Sequence, residues 1–259
     1  MNGIIDISWE GLAVSTVFVL LAGVTSLTLR LGLEKDLLWG ALRTVAQLYL
    51  MGFVLRYVFG FDAWYLVCSV YVIMIALAAV IVKGRVKRPL VRFVAPVFFS
   101  MLLSYLVVTM LVTSVIVRVK PWYDPVYFIP LGGMVIGNSI SAVALALERL
   151  FEELRLRRDE IELRLCLGAS AAQASATVFR SAVRAGMIPS ISSMMGVGIV
   201  WIPGMMTGQI LAGASPLAAV KYQIVVMFML VGATTVSTVM MVTLVRRKCF
   251  TDDERLIRR

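Results

Sequence analysis

The sequence predicts an all-α protein that is embedded in a membrane and crosses it about seven times. Hydrophobic residues make up 60% of the chain, charged residues only 15%, and the mean hydropathy is +0.92. Soluble domains carry about 25% charged residues, so this composition indicates a polytopic membrane protein. The chain is expected to form one transmembrane domain over residues 1–259.

Individual spans can be marked because a helix needs about 20 apolar residues to cross the hydrocarbon core of a bilayer. The stretches that meet this requirement are 9–29, 37–59, 63–82, 93–117, 126–147, 187–213 and 217–245.

The fifth and sixth stretches differ from the others because they are rich in proline and glycine. Their residues of this kind include Pro130, Pro189, Pro203, Gly204 and Gly208. Proline removes a backbone donor and glycine loosens a helix, so such spans need protein or a lined cavity around them. We expect both stretches to face the bundle interior and the sixth to break at Pro203, Gly204 and Gly208.

Basic residues indicate the orientation of the chain. Most of the 25 Lys and Arg residues lie in alternate loops, in the segment 148–185 and in the tail 246–259. Cytoplasmic loops carry the excess of such residues, so the N-terminus is expected outside and the C-terminus inside. The protein is then a multi-pass protein of the plasma or inner membrane. The net charge of +10 follows from this asymmetry, and no nucleic-acid motif accompanies it.

The segment 148–185 is a polar insert between the fifth and sixth stretches. Its charge pattern includes the i,i+4 pairs Glu153–Arg157 and Glu160–Arg164. We expect the fifth helix to continue into the cytoplasm, to break at Gly168 and to return through a second helix over 169–184. A charged helical hairpin of this kind is either a solvated connector or a docking surface.

Several kinds of chemistry are excluded by what the chain lacks. The sequence contains no His, which removes Ser-His and Cys-His pairs and His-based zinc sites. It contains no G-x-x-x-x-G-K-[ST] loop, so ATP is expected on a partner chain and no catalytic residue or cofactor on this one. No Asp or Glu falls in the middle of a predicted span, which argues against ion-coupled transport.

Residues 161–170, IELRLCLGAS, resemble the cytoplasmic E-A-A-x-x-x-G loop of ABC-transporter permeases. In those proteins the Glu and the Gly flank a coupling helix that enters a groove on the ATPase subunit. Leu163 stands at one of the two Ala positions here, and Arg164 at the other. The resemblance implies that the residues that couple this chain to an ATPase are Glu162, Arg164, Gly168, Ala169 and Ser170.

Residues 197–213, VGIVWIPGMMTGQILAG, are similar to the V-x-L-P-G-M-M-T-G-Q-I-L-A-G hallmark of the FetB-type permease family. This family includes bacterial iron-export ABC permeases and the plant aluminium-sensitivity permease. Further matches at 130–134, 137–139 and 222–224 extend the resemblance over essentially the whole chain. It implies a permease that pairs with a separate cytoplasmic ABC ATPase and exports metal ions, iron first among them, and we expect a permease homodimer.

Candidate path residues lie at the expected helix break and on the fifth stretch. Backbone carbonyls at the break, together with neighbouring side chains, offer a metal-binding surface without any carboxylate; these side chains are Met205, Met206, Gln209 and Asn138. Thioethers suit soft ions such as Cu(I), whereas iron and aluminium prefer carboxylate or imidazole ligands. Methionine is also a common core residue, so the substrate is left open by the residues alone.

Two other functions fit the same features. One is an ABC permease for another small solute, and the other is a non-transporting membrane scaffold or sensor whose insert recruits a soluble regulator. Co-purification with an ATPase that carries Walker motifs would separate transport from the scaffold hypothesis.

Overall fold

A computed structural model describes residues 8–61, 63–251 and 253–257 of the chain. Over these ranges the secondary structure is helical, with two isolated β-bridges and no longer strand. The helices are α1 (Trp9–Thr28), α2 (Glu34–Phe59), α3 (Trp64–Arg85), α4 (Val94–Leu111), α5 (Pro125–Leu156), α6 (Arg158–Cys166), α7 (Ala171–Ala174), α8 (Ala176–Gly196), α9 (Gly204–Leu211) and α10 (Pro216–Lys248). The predicted fold class, an all-α polytopic membrane protein, is confirmed.

The helices fall into two compact units. The first contains α1, α2 and the short stretch Leu211–Ala214. Its two helices form a hairpin whose turn is fixed by Ser26, which is buried, accepts a bond from the Leu33 N–H (3.0 Å) and donates one to Glu34 Oε1 (2.8 Å). Both helices expose apolar side chains along their length, as expected for helices that lie in lipid.

The second unit is organised around α5, which packs against α3, α4, α8 and α10. The side of α5 that faces these helices is apolar and fully buried over four turns, with Val143, Leu147, Leu150 and Leu154 at its centre. The helix is continuous through Pro130, and so is α8 through Pro189. The expectation that the fifth stretch faces the bundle interior therefore agrees with the packing.

Some buried hydroxyl groups in this unit are paired across helices, whereas those of Ser100, Ser104 and Thr238 have no hydrogen-bond partner within the described residues. The Tyr71 and Thr109 hydroxyls join α3 to α4 at 2.9 Å, and the Tyr105 and Ser237 hydroxyls join α4 to α10 at 3.1 Å. Such pairs satisfy polar atoms that neither lipid nor an apolar core can satisfy. Beyond α4 the chain forms a π-helical turn, Val112–Ile116, before it reaches α5.

In the part of the chain that the structure describes, six segments are long and apolar enough to cross a membrane, namely α1, α2, α3, α4 with its π-helical turn, α5 and α10. The sixth expected stretch, 187–213, is not one helix. It is divided between the second half of α8 and all of α9, which are separated by the irregular segment 197–203. The number of spans and the orientation of the chain stay predictions.

Two helix boundaries differ from those expected around the insert. The fifth helix ends at Leu156, and only Arg157 separates it from α6. The N–H of Arg157 still donates to the Glu153 carbonyl at 2.9 Å. The returning helix does not end at residue 184 but runs on to Gly196. Arg180 and Arg184 lower the apolar character of its first half, which hid this continuity in the sequence.

Gly186 marks the closest approach of α8 to its neighbours. A Cβ atom there would lie 2.8 Å from Ala146 Cβ, 2.9 Å from Thr238 Cγ2 and 3.0 Å from the Ala142 carbonyl oxygen. We expect Gly186→Ala to destabilise the protein by about 1–3 kcal/mol, because overpacking outweighs the higher helix propensity of alanine. Gly137→Ala is the matched control, since a Cβ there would meet nothing within 4 Å. The measurement is the melting temperature in detergent. A melting temperature of the Gly186 variant equal to or above that of the Gly137 control would contradict this expectation.

Candidate coupling elbow and helix break

The base of the insert is held by a buried carboxylate. Glu153, near the end of α5, has a side chain only 6% exposed, and it binds Arg149 Nη2 at 2.7 Å and Arg157 Nε at 2.5 Å. Ser181 on α8 donates to the same carboxylate at 3.4 Å, and Arg149 Nε donates to the Ser181 hydroxyl at 3.1 Å. The predicted Glu153–Arg157 pair is thus present, and it belongs to a network that ties α5 to α8.

Helix α6 carries two further ion pairs. Arg164 Nη2 donates to Glu160 Oε1 at 2.7 Å, which is the predicted pair, and Arg158 Nε donates to Glu162 Oε1 at 2.8 Å. All four side chains are partly exposed, so each pair contributes no more than about 1 kcal/mol to stability. The candidate coupling residues Glu162 and Arg164 therefore each have a partner on their own helix, which fixes their direction.

The chain turns sharply after α6. Gly168 has φ +89°, a conformation that strains any residue with a Cβ, although a Cβ there would meet no atom within 4 Å. The Ala169 N–H closes the turn on the Arg164 carbonyl at 3.0 Å. Ser170 then caps α7 in a reciprocal capping box with Gln173. Glycine is needed here for backbone conformation and not for space.

Residues 162–174, from Glu162 to the end of α7, are called the elbow below. Two of its apolar side chains are unusually exposed: Leu163 is 62% and Leu167 is 79% accessible. Both lie beside charged residues of the insert, far along the chain from any predicted span. These two side chains, one helical turn apart in sequence, offer apolar surface that another protein can cover.

The C-terminal tail, residues 249–257, packs against the elbow. Its end folds back so that Phe250 and Leu256 form a β-bridge, and the backbone of Glu254 adopts φ +57°. The Glu254 carboxylate then accepts a bond from the Ala171 N–H, the first amide of α7, at 3.1 Å. A groove of about 990 Å³, the elbow–tail groove, lies between the two segments. No spacing in the sequence pointed to this contact, because 83 positions separate the two residues.

The last turn of α10 also contacts the returning chain. The Arg246 guanidinium lies 4.9 Å from the centroid of the Phe179 ring, and its Nη1 is 3.5 Å from the Ala172 carbonyl oxygen. The start of α8 and the whole of α7 are therefore fixed against α10 and the tail. In the sequence Arg246 stands out only as one of the basic residues of the tail.

Cysteine reactivity tests the packing of the tail. Cys249 is fully buried, and burial raises the pKa of its thiol to about 12, whereas Cys166 in the elbow is exposed. A raised pKa leaves almost no reactive thiolate at neutral pH. In a Cys68→Ser background we expect a maleimide at pH 7.5 to label Cys166 in the folded protein and Cys249 only after denaturation. Rapid labelling of Cys249 in the folded protein would mean that the tail does not pack as described.

The break between α8 and α9 occupies residues 197–203. Gly198 has φ +84°, and its N–H donates to the Trp201 carbonyl at 2.9 Å. Pro203 is buried, and α9 begins directly after it at Gly204. The Pro203 carbonyl accepts from the Thr207 N–H at 3.0 Å and from the Thr207 hydroxyl at 3.1 Å, so the first turn of α9 is closed on the last residue of the break.

Gly208 does not belong to the break, because it lies in the middle of α9, where the helix is continuous. A Cβ on Gly204 or Gly208 would meet no atom within 4 Å. Neither glycine therefore marks a close helix crossing among the residues that the structure describes.

The candidate path residues are only partly brought together. Met206 lines a cleft of about 440 Å³ between α8, the break, α9 and α10, which is called the α8–α10 cleft below. Met205 and Gln209 are half-buried on α9 but do not line it. Asn138 is exposed on α5, where its Nδ2 donates to the Met134 carbonyl at 2.9 Å, and it does not reach the cleft either. Within the described ranges, no group of three or more His, Cys, Asp or Glu side chains is placed to hold a metal ion.

Comparison with known proteins places these features in a family. Residues 9–250 match the family model described as "Uncharacterised protein family (UPF0014)". Over 253 residues the chain is 34% identical to the "Probable iron export permease protein FetB" of Escherichia coli K12. These residues cover 97% of this chain and 96% of that protein. No solved structure matches the chain.

Relatives from photosynthetic organisms are similar at the same level. The "UPF0014 membrane protein slr1647" of Synechocystis is 38% identical over 88% of each chain. The "Protein ALUMINUM SENSITIVE 3" of Arabidopsis thaliana is 33% identical over 88% of this chain and 82% of its own.

Proposed function

Because this chain belongs to the UPF0014 family of membrane proteins, we propose that it is the membrane-spanning permease subunit of an ATP-driven transporter that exports metal ions. The relatives support a membrane permease of the inner-membrane type rather than an enzyme. The ATPase is a separate cytoplasmic chain, the permease works as a homodimer, and iron is the first ion to test. The name of the Escherichia coli relative motivates that choice of ion.

The observation that carries this proposal is the exposed elbow. Leu163 and Leu167 expose apolar surface on a charged segment, next to a turn fixed by Gly168 and a capped α7. An ATPase groove that covers both leucines would remove that surface from water, which stabilises the complex by roughly 1.5–3 kcal/mol per side chain. The resemblance of the same residues to the coupling loop of ABC permeases supports the same partner.

The route by which ATPase movement reaches the membrane follows from chain connectivity. Only Ser175 separates α7 from α8, and α8 runs 21 residues, about 31 Å, to the break at residue 197. A helix of this length packed against α5 and α10 moves as a stiff element. Displacement of the elbow would therefore shift the break and the α8–α10 cleft, while the ATPase itself stays outside the membrane.

Flux measurements in vesicles test the proposal. The chain is co-expressed with the ABC ATPase encoded nearest to its gene, and ion movement is followed with ATP or a non-hydrolysable analogue, across a panel that begins with Fe²⁺. ATP-dependent metal flux supports the proposal. If ATP drives the flux of a small solute other than a metal ion, and of no metal ion, the alternative of an ABC permease for another small solute is favoured. If the ATPase neither co-purifies nor drives any flux, the scaffold or sensor hypothesis becomes the better one.

A further inference from the structure

The α8–α10 cleft gathers methionine side chains from three separate helices. Met194 comes from the last turn of α8, Met206 from the first turn of α9 and Met227 from the fourth turn of α10. Their positions are unrelated by any helical spacing, and they meet only because the chain breaks at residues 197–203. The sequence has 15 methionines, so their number gave no reason to single out these three.

One polar side chain lines the same cleft. Gln223 lies one turn before Met227 on α10, is only 6% exposed, and its Oε1 atom has no hydrogen-bond partner. A buried amide oxygen without a partner costs about 1–3 kcal/mol, so an unpaired one indicates that something absent from the folded chain satisfies it. The Oε1 atom has almost no accessible surface, so a partner in the cleft of about 440 Å³ reaches it once the amide rotates, and that partner must be a donor or a cation.

The donor set decides which cation fits. Three thioether sulfurs and one amide oxygen are neutral and mostly soft ligands, which favour Cu(I)-like ions over hard ions such as Fe³⁺, Mn²⁺ or Mg²⁺. No carboxylate lines the cleft, and the cost of bringing an ion into an apolar site rises with the square of its charge. A monovalent ion is therefore the least costly to bind there.

We propose that the α8–α10 cleft is a binding site for a soft monovalent cation, with Met194, Met206, Met227 and Gln223 as its ligands. That the bound ion is the transported cargo rests on the proposed function. Of the candidate path residues inferred from the sequence, the site keeps Met206 and replaces the others with residues of α8 and α10.

Simple core packing is the competing explanation of these side chains. Packing alone does not account for the open volume, nor for a buried amide oxygen without a partner at its edge. The two explanations differ in one measurable way, because packing depends on side-chain volume and ligation depends on sulfur. Met→Leu keeps the volume and removes the thioether.

The test measures Ag⁺ binding to the purified full-length chain in detergent, by equilibrium dialysis with metal analysis. Ag⁺ serves as the probe because it is monovalent and soft and needs no reductant. All proteins carry Cys68→Ser, Cys166→Ser and Cys249→Ala, because a cysteine thiol binds Ag⁺ more tightly than a thioether does. In this background the variants are Met194→Leu, Met206→Leu, Met227→Leu, the triple variant and Gln223→Leu. The matched control is Met195→Leu, next to Met194 on the same helix but 75% exposed and absent from the cleft lining.

We expect one Ag⁺ per chain, a loss of affinity of at least tenfold for each single methionine variant, and no specific binding for the triple variant. The Gln223 variant is expected to weaken binding less than the methionine variants, because it removes the harder ligand. The Met195 control should bind as the unaltered chain does, and excess Fe²⁺ should not displace Ag⁺. The proposal is overturned if the triple variant, shown to be folded by its melting curve, binds Ag⁺ as well as the control.

Transport assays separate this proposal from the proposed function. ATP-driven Ag⁺ flux that the triple variant loses supports both. ATP-driven iron flux that is unchanged in the triple variant leaves the proposed function standing and overturns the cleft as the cargo site. Ag⁺ binding that depends on the three methionines, without ATP-driven flux of any ion, keeps the site and contradicts the proposed function.

Discussion

Replacing Leu163 and Leu167 together by Glu is expected to abolish capture of the ATPase subunit by the permease. Both side chains are largely exposed on the elbow, so the change costs the isolated permease little stability. In the complex it removes two apolar contacts worth roughly 1.5–3 kcal/mol each and adds two charges to a dry interface. We expect affinity to fall by about a hundredfold or more, measured by pull-down and by surface-immobilised binding of the ATPase.

The matched control for this double change is Leu156→Glu. Leu156 is 74% exposed at the end of α5, so the control adds charge to the same insert without touching the elbow. Gly168→Val supplies a second, independent route to the same loss, because a β-branched residue is strained at φ +89°. Glu162→Lys additionally breaks the pair with Arg158. Normal ATPase capture by the leucine and glycine variants alike would leave the solvated connector as the better interpretation of the insert.

Local features of the elbow could be predicted from the sequence because they depend on neighbours within one or two turns. The Glu153–Arg157 and Glu160–Arg164 pairs are both present, and the chain turns at Gly168 as expected. The i,i+4 rule and the conformational freedom of glycine are sufficient for such features. Proline and glycine content also predicted a break at Pro203, Gly204 and Gly208, but only Pro203 belongs to the observed break at 197–203, and both glycines lie in α9.

Contacts between distant parts of the chain could not be predicted in this way. The bond from Ala171 to Glu254 joins positions that no periodicity relates, and the α8–α10 cleft requires three helices to converge. The continuity of α8 was also missed, since Arg180 and Arg184 made its first half resemble a separate cytoplasmic helix that ends before the apolar stretch 187–213. Charge near the end of a helix lowers its hydropathy without shortening the helix.

Replacement of Glu153 is the second change with a large expected effect. This residue combines a local contact that the sequence predicts with distant contacts that only the structure shows. The sequence predicts its pair with Arg157, but not that its carboxylate is buried and shared with Arg149 and with Ser181 of α8. Glu153→Leu leaves both guanidinium groups without this partner and removes an acceptor that joins α5 to α8. Breaking a fully buried ion pair costs about 3–5 kcal/mol, and because the two arginines are themselves 42–44% exposed we expect about 2 kcal/mol.

The expected result is a fall in melting temperature of about 4–8 °C in detergent, together with loss of ATP-driven flux, since the insert would no longer be fixed to α8. Glu152→Leu is the control, because that carboxylate is 58% exposed and binds only Arg149, at 3.3 Å. Glu153→Gln keeps the shape and the contact with Ser181, so its melting temperature should lie between those of the other two variants. If the Glu152 and Glu153 variants melt and transport alike, the elbow is not positioned by this carboxylate, and the contacts of the tail and of Arg246 must position it instead.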